Sequence, residues 1–319
     1  MVDLTALVFV AALLMALLAD RYYGEPPVRL HPVVWMGNYL NWAASRIRPN
    51  PSPEVRDLKA FGVAAQYWWA GAAMVLIVSC ALQWAALLLP WYLAAPLLGL
   101  ALKPMLAWAM LSSEVQAVED ALGLSLDAGR QRLAMLVSRD TSQLSEAEVR
   151  ESAIESLAEN LNDSVVAPIF WFALFGLPGA AIYRFANTAD AMWGYRGLRN
   201  GVNWEWAGKW AARADDVLSW LPARLTALLL ALVSGGVSLQ QLGLEARKTP
   251  SPNSGWPMAA MALALGISLH KPGVYALNPA GRPPQAPDTA LAQKYASKVV
   301  PAQYLWALAA IILIAILKS

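Results

Sequence analysis

Four acidic residues recur at every fourth position between residues 151 and 163. If this segment is a helix, Glu151, Glu155, Glu159 and Asp163 lie along one stripe of its surface. Like charges at this spacing repel by roughly a few tenths of a kcal/mol per pair, and a cation opposite the stripe would relieve that repulsion. Mg²⁺ prefers one or two carboxylates together with substrate phosphates. The stripe therefore indicates either a magnesium site of Glu155, Glu159 and Asp163 or a solvated acidic helix face.

Two further clusters combine acids with amide or guanidinium groups. Asn187 and Asp190 are three residues apart and could reach the same ion, although Asp190 could equally cap a helix or pair with a cation. Arg213, Asp215 and Asp216 precede an apolar run, and an arginine and an aspartate three positions apart on a helix can simply pair with each other.

Two other sites suit an anion. Arg224 lies within an apolar run, where an ionisable group is costly and is a candidate for function. Its planar guanidinium matches a carboxylate or a phosphate, although snorkelling at a helix start explains it as well. The turn that contains Ser251 and Asn253 offers hydroxyl, amide and backbone N–H groups, which form either an anion site or an ordinary turn. Arg139 could bind an anion or pair locally with Asp140.

Several classes of site are excluded by residue counts. Cys80 is the only cysteine, which leaves no disulfide framework or zinc–thiolate site. His31 and His270 are the only histidines, so a Ser-His-Asp triad or a histidine-rich metal site is disfavoured. The sequence has no Walker A loop, and it has no basic tract that would suit nucleic acid.

The composition indicates a membrane protein. Of the 319 residues, 58% are hydrophobic and 14% are charged, and 15 are tryptophans, which favour the lipid–water interface. Several apolar runs approach the roughly 20 residues that cross a bilayer as a helix. We expect an all-α polytopic membrane protein with about five to six hydrophobic helices, one of them re-entrant, and a cytoplasmic helical lobe. We expect one integral membrane domain over residues 1–319, with the polar lobe inserted at about 112–164.

Particular segments carry more detailed expectations. A helix over Leu4–Ala19 is followed by a basic loop, which the positive-inside rule places in the cytoplasm. Residues 61–111 read as a helical hairpin that turns near Gln83–Trp91. Ser145 and Glu148 match a capping box, which starts a helix at about residue 146.

The later apolar runs are less regular. The "GLPG" at 176–179 interrupts Val165–Tyr183, which predicts a re-entrant hairpin or a buried, kinked element. Residues 203–242 read as one long helix with a kink at Pro222. Met258–Leu269 reads as a short helix, 271–300 as a surface loop, and Trp306–Leu317 as the last membrane helix.

Six segments, taken in order, resemble the CobD/CbiB family, the adenosylcobinamide-phosphate synthases of cobalamin biosynthesis. The resemblance extends over nearly the whole chain. The segments are "DRYYGEPPVRLHPVVWMG" (20–37), "SRDTSQL" (138–144), "ESLAENLNDSVVAP" (155–168), "YRFANTADAMWGY" (183–195), "AARADDVLSWLPARL" (211–225) and "SPNSGWP" (251–257).

The resemblance implies a multi-pass enzyme of the bacterial inner membrane with a cytoplasmic active site. Its reaction is an acid–amine ligation, in which ATP and Mg²⁺ drive amide formation between adenosylcobyric acid and (R)-1-amino-2-propanol O-2-phosphate. Its partners are these two substrates and membrane lipid, with no nucleic acid. A homo-oligomer, or an assembly with other late cobamide-assembly membrane enzymes, is also expected.

The resemblance carries over a set of individual positions: Glu155, Glu159, Asn160, Asp163, Asn187, Asp190, Arg213, Asp215, Asp216, Arg224, Ser251 and Asn253. From the chemistry of the reaction we assign magnesium to Glu155, Glu159 and Asp163, and general-base catalysis to Asp190 or Asp216, with Glu155 and Glu159 also counted as catalytic. Arg139, Arg213 and Arg224 are assigned to phosphates or to the substrate carboxylate. The remaining substrate- or phosphate-binding positions are Asn160, Asn187, Asp215, Ser251 and Asn253.

The chain departs from the family pattern at two places. Ser164 stands where many relatives have glycine, and "LHKPGVYALNPAG" (269–281) replaces a glycine-rich turn.

Two other classes of function would suit a similar scaffold. The first is a non-catalytic membrane sensor like the AmpE proteins, which has no need of the full polar set. The second is a transporter, for which repeat symmetry is expected and is not found in the sequence.

Overall fold

The computed structural model describes residues 4–50, 52, 55–199 and 201–318, and within these residues the chain is nearly all helical. The α-helices are α1 (Leu4–Tyr23), α2 (Pro32–Ala44), α3 (Leu58–Leu87), α4 (Trp91–Leu102), α5 (Trp108–Leu124), α6 (Leu126–Leu133), α7 (Glu146–Leu161), α8 (Ala167–Phe175), α9 (Leu177–Trp193), α10 (Lys209–Leu218), α11 (Trp220–Val233), α12 (Leu239–Ala246), α13 (Gly255–Leu265) and α14 (Ala286–Lys318). Two antiparallel hairpins pair β1 (Leu198–Arg199) with β2 (Val202–Asn203), and β3 (Leu269–Lys271) with β4 (Tyr275–Leu277).

Four helical stretches among the described residues are long and apolar enough to cross a membrane. A fifth is added if the bent pair α10 and α11 counts as one span. The four stretches are Leu4–Tyr23, Leu58–Leu87, Trp91–Leu124 and Ala286–Leu317. The chain is therefore a multi-pass, nearly all-α membrane protein, which confirms the expected fold class.

The chain divides into two compact units. The first comprises Met1–Leu106, Pro168–Leu218 and Ala307–Ser319, and the second comprises Ala107–Ala167 and Ser219–Trp306. The division does not test the expectation of a single integral membrane domain, which stays a prediction.

Small residues allow helices of the first unit to pack closely. α1 contacts α4, and a Cβ atom added at Gly99 would lie 2.9 Å from the carbonyl oxygen of Ala12. α9 contacts both α3 and α10. The ring of Phe185 on α9 lies 5.8 Å from that of Trp68 on α3, centroid to centroid. This packing fixes the helices that carry the polar residues of the first unit.

α7 is the central helix of the second unit. It begins with the predicted capping box: the Ser145 hydroxyl accepts from the Glu148 backbone N–H, and the Glu148 carboxylate accepts from the Ser145 backbone N–H. The predicted apolar side chains of this helix are all buried, and it contacts α5, α6 and α13. These side chains are Val149, Ala153, Ile154, Leu157 and Leu161.

The predicted break in the "GLPG" run is present. α8 ends at Phe175 and α9 begins at Leu177, while Gly176 between them has a φ of +68°, which glycine adopts without steric cost. α8 has nine residues, fewer than the roughly 17 that span a bilayer. The expected re-entrant path stays a prediction.

Two segment predictions are wrong. Residues 203–242 are not one helix, because α10 ends at Leu218, α11 ends at Val233, and Gly235 and Gly236 have positive φ. The predicted kink is present, because α10 and α11 are bent by 47° at the break between them. Pro222 has no N–H for the carbonyl of Leu218, four residues earlier, and that carbonyl accepts instead from Trp171 Nε1 at 3.0 Å.

Residues 271–300 are not one loop either. They contain the end of the β3–β4 hairpin and the first half of α14, which begins at Ala286. Pro287 fits the first turn of a helix. Ala292, Ala296 and Val299 then form a buried face at helical spacing. The polar composition of this half hid that periodicity.

Candidate active site

The four acidic residues of the predicted stripe do not share the same surroundings. Glu151 and Glu155 are buried, whereas Glu159 is exposed. Asp163 lies beyond the end of α7, in a π-helical segment over Asn162–Val166. Because hydrogen bonding there shifts to i→i+5, Asp163 does not continue the α-helical spacing. The predicted stripe is therefore not a uniform solvated face.

A small polar pocket lies along the middle of α7. Its volume is about 180 Å³. Three predicted site residues of α7 line it, together with Arg139 from the segment between α6 and α7. The remaining lining residues are Leu136, Val137, Ser138, Ser152, Ser156, Lys271 and Tyr275. The structure thus brings Arg139, Glu155, Glu159 and Asn160 together in one pocket.

One oxygen of Glu155 is paired and the other is not. Arg139 Nη2 donates to Glu155 Oε2 at 2.6 Å. Glu155 Oε1 is buried, and no described group forms a hydrogen bond with it. Burial raises the pKa of Glu155, and the nearby Arg139 guanidinium opposes that rise. A buried carboxylate oxygen without a partner is costly, so this atom is a position at which a cation or a donor would be stabilised.

The β3–β4 hairpin supplies the part of the pocket that sequence reasoning missed. Lys271 and Tyr275 line the pocket from this hairpin. Burial and the charge of Glu155 raise the pKa of the Tyr275 hydroxyl. At the base of the hairpin, the His270 backbone N–H donates to Glu151 Oε2 at 3.2 Å. The only local signal in the sequence was the Pro-Gly turn between the two strands, which marks a turn and not a site.

The carboxylates of the pocket are compatible with a magnesium ion that takes its other ligands from a substrate, and the predicted magnesium site stays a prediction. Glu155 and Glu159 both line it, whereas Asp163 does not, and Asn162 donates to Asp163 Oδ1 at 2.8 Å. Within the described residues, no three His, Cys, Asp or Glu side chains form a group that could hold a metal ion alone. Because magnesium commonly takes one or two carboxylates with substrate phosphates, two carboxylates and one unsatisfied oxygen suffice. The assignment of Asp163 stays a prediction.

Arg224 lies in a second cluster of the same unit. Its Nη1 donates to Asn253 Oδ1 at 3.0 Å and to the Trp220 carbonyl at 2.7 Å, and its Nη2 donates to the Pro252 carbonyl at 3.3 Å. The guanidinium lies over the rings of Trp220 and Trp256. These contacts tie α11 to the turn before α13, and the predicted anion-binding role of Arg224 stays a prediction.

The turn itself is held by Ser251. Its hydroxyl accepts from the backbone N–H groups of Asn253 and Ser254, both at 3.2 Å. Asn253 is buried. Hydrogen bonds of this kind define an Asx- or Ser-type turn, so the arrangement explains both residues as parts of the turn. Their predicted binding of an anion stays a prediction.

The remaining predicted residues belong to the first unit, on α9 and α10. Asn187 Nδ2 donates to Asp215 Oδ1 at 3.3 Å, which joins the two helices. Asp190 lies on α9 one turn after Asn187, and Asp216 follows Asp215 on α10. Arg213, also on α10, is exposed. This second group contains two carboxylates, Asp190 and Asp216, that were predicted as bases.

Comparison with known proteins identifies the family. The family model described as CobD/Cbib protein matches residues 13–300. A probable cobalamin biosynthesis protein CobD of Methanothermobacter thermautotrophicus is 40% identical over 275 residues, 84% of this chain and 86% of the relative. One of Pyrococcus abyssi is 40% identical over 292 residues, 91% of this chain and 92% of the relative.

A bacterial relative agrees with the archaeal ones. The cobalamin biosynthesis protein CobD of Brucella suis is 37% identical over 279 residues, 82% of this chain and 81% of that protein. No solved structure matches the chain. The family model extends over all residues of the polar pocket, and the chain belongs to the CobD/CbiB family of cobalamin biosynthesis proteins.

Proposed function

We propose that this protein is an adenosylcobinamide-phosphate synthase of the bacterial inner membrane, with its active site on the cytoplasmic side. It joins adenosylcobyric acid to (R)-1-amino-2-propanol O-2-phosphate through an amide bond, with ATP as cosubstrate and Mg²⁺. The observation that carries the proposal is the polar pocket on α7, where a buried Glu155 oxygen has no described partner. Membership of a cobalamin biosynthesis family supplies the substrate class.

The reaction makes two demands on the protein. A carboxylate does not condense with an amine at neutral pH until it is activated, and ATP can activate it as an acyl phosphate. The protein must neutralise phosphate charge and must remove a proton from the attacking ammonium group. Bound Mg²⁺ would supply charge neutralisation at the phosphates.

The pocket residues are suited to the first requirement, which is the neutralisation of phosphate charge. Glu155 and Glu159 are the groups that would hold Mg²⁺, and Arg139 orients Glu155 through its hydrogen bond of 2.6 Å. Asn160 is held by its own helix, because its Nδ2 donates to the Ser156 carbonyl at 2.9 Å. These hydrogen bonds hold Glu155 and Asn160 in position, which favours electrostatic stabilisation.

The second requirement is the removal of a proton from the attacking ammonium group. We assign this general base to Asp190 or Asp216 of the first unit. α9 and α10 contact each other, and Asn187 links them through Asp215. Substitution of each aspartate by asparagine separates the two candidates. The base variant should lose most of its kcat, and the loss should shrink as pH rises and more of the amine is already deprotonated.

The test is a synthase assay with purified components. The protein in detergent is supplied with adenosylcobyric acid, the amino alcohol phosphate, ATP and MgCl₂, and mass spectrometry measures adenosylcobinamide phosphate. Product should form only when all components are present, and it should stop when ATP is omitted or EDTA is added. A corrinoid that stays unconsumed under these conditions, with folded protein, would contradict the proposal and favour a sensor or a transporter.

A further inference from the structure

The β3–β4 hairpin lies outside the motifs that carry the family resemblance, yet it forms one wall of the pocket. Lys271 is the last residue of β3 and Tyr275 is the first residue of β4, and the two are paired in the register of the hairpin. Both line the pocket that also contains Arg139 and Glu155. Directly paired residues of an antiparallel hairpin have their side chains on the same face, so these two side chains approach the pocket together.

We propose that Lys271 and Tyr275 form a phosphate-binding subsite of this pocket. The identity of the ligand rests on the proposed function. That function offers two sources of phosphate, namely the phosphate ester of the amine substrate and the terminal phosphate of the nucleotide. The chemistry that the subsite recognises is the same in both cases, namely a doubly charged phosphate group with exposed oxygens.

The two cations that line the pocket, Arg139 and Lys271, differ in whether they are paired with a carboxylate. Arg139 is already paired with Glu155 at 2.6 Å. Lys271, by contrast, has no carboxylate oxygen within 4 Å of its Nζ among the residues that the structure describes. Its ammonium is a mobile point charge on a flexible side chain, which suits a phosphate. Lys271 is therefore the cation of this pocket that is available to a ligand.

Tyr275 adds a donor. Its hydroxyl contacts Met258 Sδ at 3.7 Å, and a thioether sulfur is only a weak acceptor. The hydroxyl also interacts with the Glu155 carboxylate, so it faces the part of the pocket where a ligand would bind. A phosphate oxygen is a far stronger acceptor than the sulfur. The surroundings also keep the phenol protonated, because burial and the nearby acids raise its pKa.

The size of the pocket limits what it holds. Its volume of about 180 Å³ is smaller than the roughly 300–1,000 Å³ of pockets that enclose a drug-sized molecule. A small phosphate ester fits within it, whereas a nucleotide would place only its terminal phosphate there. The Ser138 and Ser156 hydroxyls also line the pocket, whereas the Ser152 hydroxyl already donates to the Glu148 carbonyl at 2.7 Å. The phosphate therefore meets hydroxyl groups outside the hairpin as well.

The experiment measures binding without turnover, using the full-length protein in detergent. Isothermal titration calorimetry determines the Kd for three probes: inorganic phosphate, O-phosphoethanolamine, and ADP with MgCl₂. The variants are Lys271→Met, Lys271→Arg and Tyr275→Phe. The control is Lys294→Met, which removes an exposed lysine from α14. Tryptophan fluorescence melts of each variant show whether it is folded.

Lys271→Met should weaken binding about tenfold and Tyr275→Phe several-fold, since each removes one hydrogen bond to a charged group. Lys271→Arg should restore most of the affinity, and Lys294→Met should change nothing. A loss confined to O-phosphoethanolamine assigns the subsite to the amine substrate, and a loss confined to ADP assigns it to the nucleotide. Unchanged Kd values for every probe with folded Lys271→Met would overturn the proposal.

The outcome is separable from that of the proposed function. If the synthase assay works but the hairpin variants keep their Kd and their KM for both phosphate substrates, only the subsite is wrong. If the hairpin variants lose phosphate binding but no corrinoid is ever consumed, the subsite stands and the proposed reaction is wrong.

Discussion

At the scale of single residues, a substitution at Glu159 can test a role in catalysis separately from a role in stability. Its side chain is exposed at the end of the polar pocket, so replacing the carboxylate by an amide should cost little stability. We expect Glu159→Gln to lower the kcat/KM of the synthase reaction at least 100-fold and to leave the melting temperature within about 1 °C, because a loss of that size follows from removing one charged catalytic group.

The control for this variant lies on the same helix. Glu146→Gln changes an exposed glutamate of the first turn of α7 that pairs with Arg150, and it should keep near-normal turnover. If Glu159→Gln turns over at the normal rate at saturating Mg²⁺, Glu159 has no part in the mechanism.

Arg139 and Glu155 should be coupled in stability. The side chain of Glu155 is only 6% exposed, and that of Arg139 is 22% exposed. Removing the arginine leaves a buried carboxylate without its partner, so Arg139→Ala should destabilise the protein by on the order of 2 kcal/mol. The measurement is the free energy of unfolding in detergent, obtained by urea titration followed by tryptophan fluorescence.

The double variant Arg139→Ala/Glu155→Gln distinguishes this cause from a general loss of packing. Because the amide carries no charge, its burial needs no guanidinium, and the double variant should be more stable than Arg139→Ala alone. Equal stability of the two would show that the ion pair is not what Arg139 contributes.

At the scale of elements, the start of α7 is a prediction that the structure confirms. The Ser145 and Glu148 capping hydrogen bonds are both present, and Ser145→Ala should destabilise the protein by about 1 kcal/mol. The same bonds lower the pKa of Glu148, with the Ser145 side chain as the largest cause. A carboxyl whose pKa is lowered in the folded state stabilises above its unfolded pKa, and the contribution is lost as pH falls through the folded value.

The pH dependence of the melting temperature tests whether the Glu148 carboxylate contributes to the cap of α7. The difference in melting temperature between the protein and Ser145→Ala should be full near pH 7 and should shrink in the acid range, where Glu148 becomes protonated. A difference that stays constant from pH 7 to pH 3 would show that the Glu148 carboxylate takes no part in the cap.

The elements that sequence reasoning found are those whose signals are local. The capping box, the apolar period of α7 and the "GLPG" break each depend on residues within a few positions of one another. The first half of α14 was missed because its buried residues, such as Ala292 and Ala296, are small and lie among polar side chains. The π-helical segment was missed because no local residue pattern specifies a change of helical register.

The same distinction applies to the candidate site. Glu155, Glu159 and Asn160 were found because one helix carries them at helical spacing. Lys271 and Tyr275 were missed because a hairpin more than 100 positions away in the sequence carries them. Only tertiary packing places that hairpin beside α7, and nothing in its sequence marks it as functional.

At the scale of the whole molecule, a buried ionic cluster explains the first family motif. Lys103 is 5% exposed, and its Nζ lies 2.8 Å from Glu25 Oε2 and 3.2 Å from Asp20 Oδ1, while His31 Nε2 lies 3.1 Å from the same Glu25 oxygen. Three of these four residues belong to the motif at 20–37. The cluster links the segment after α1 to the end of α4, so this motif has a structural explanation within the first unit.

At the same scale, the orientation of the chain in the membrane can be tested by cysteine labelling. The basic residues between 20 and 60 favour a cytoplasmic location, and the proposed use of ATP requires the catalytic residues to be cytoplasmic. The test uses a Cys80→Ser background with single cysteines at the exposed positions Asp127, Arg196 and Arg247. Each cysteine should react with a membrane-impermeant maleimide in inverted vesicles. The same cysteines should stay unlabelled in intact cells with a permeabilised outer membrane. Leu88→Cys, at the exposed turn between α3 and α4, should show the opposite pattern. Because ATP is available only in the cytoplasm, labelling of any of the first three positions from outside would contradict a catalytic role for the unit that carries it.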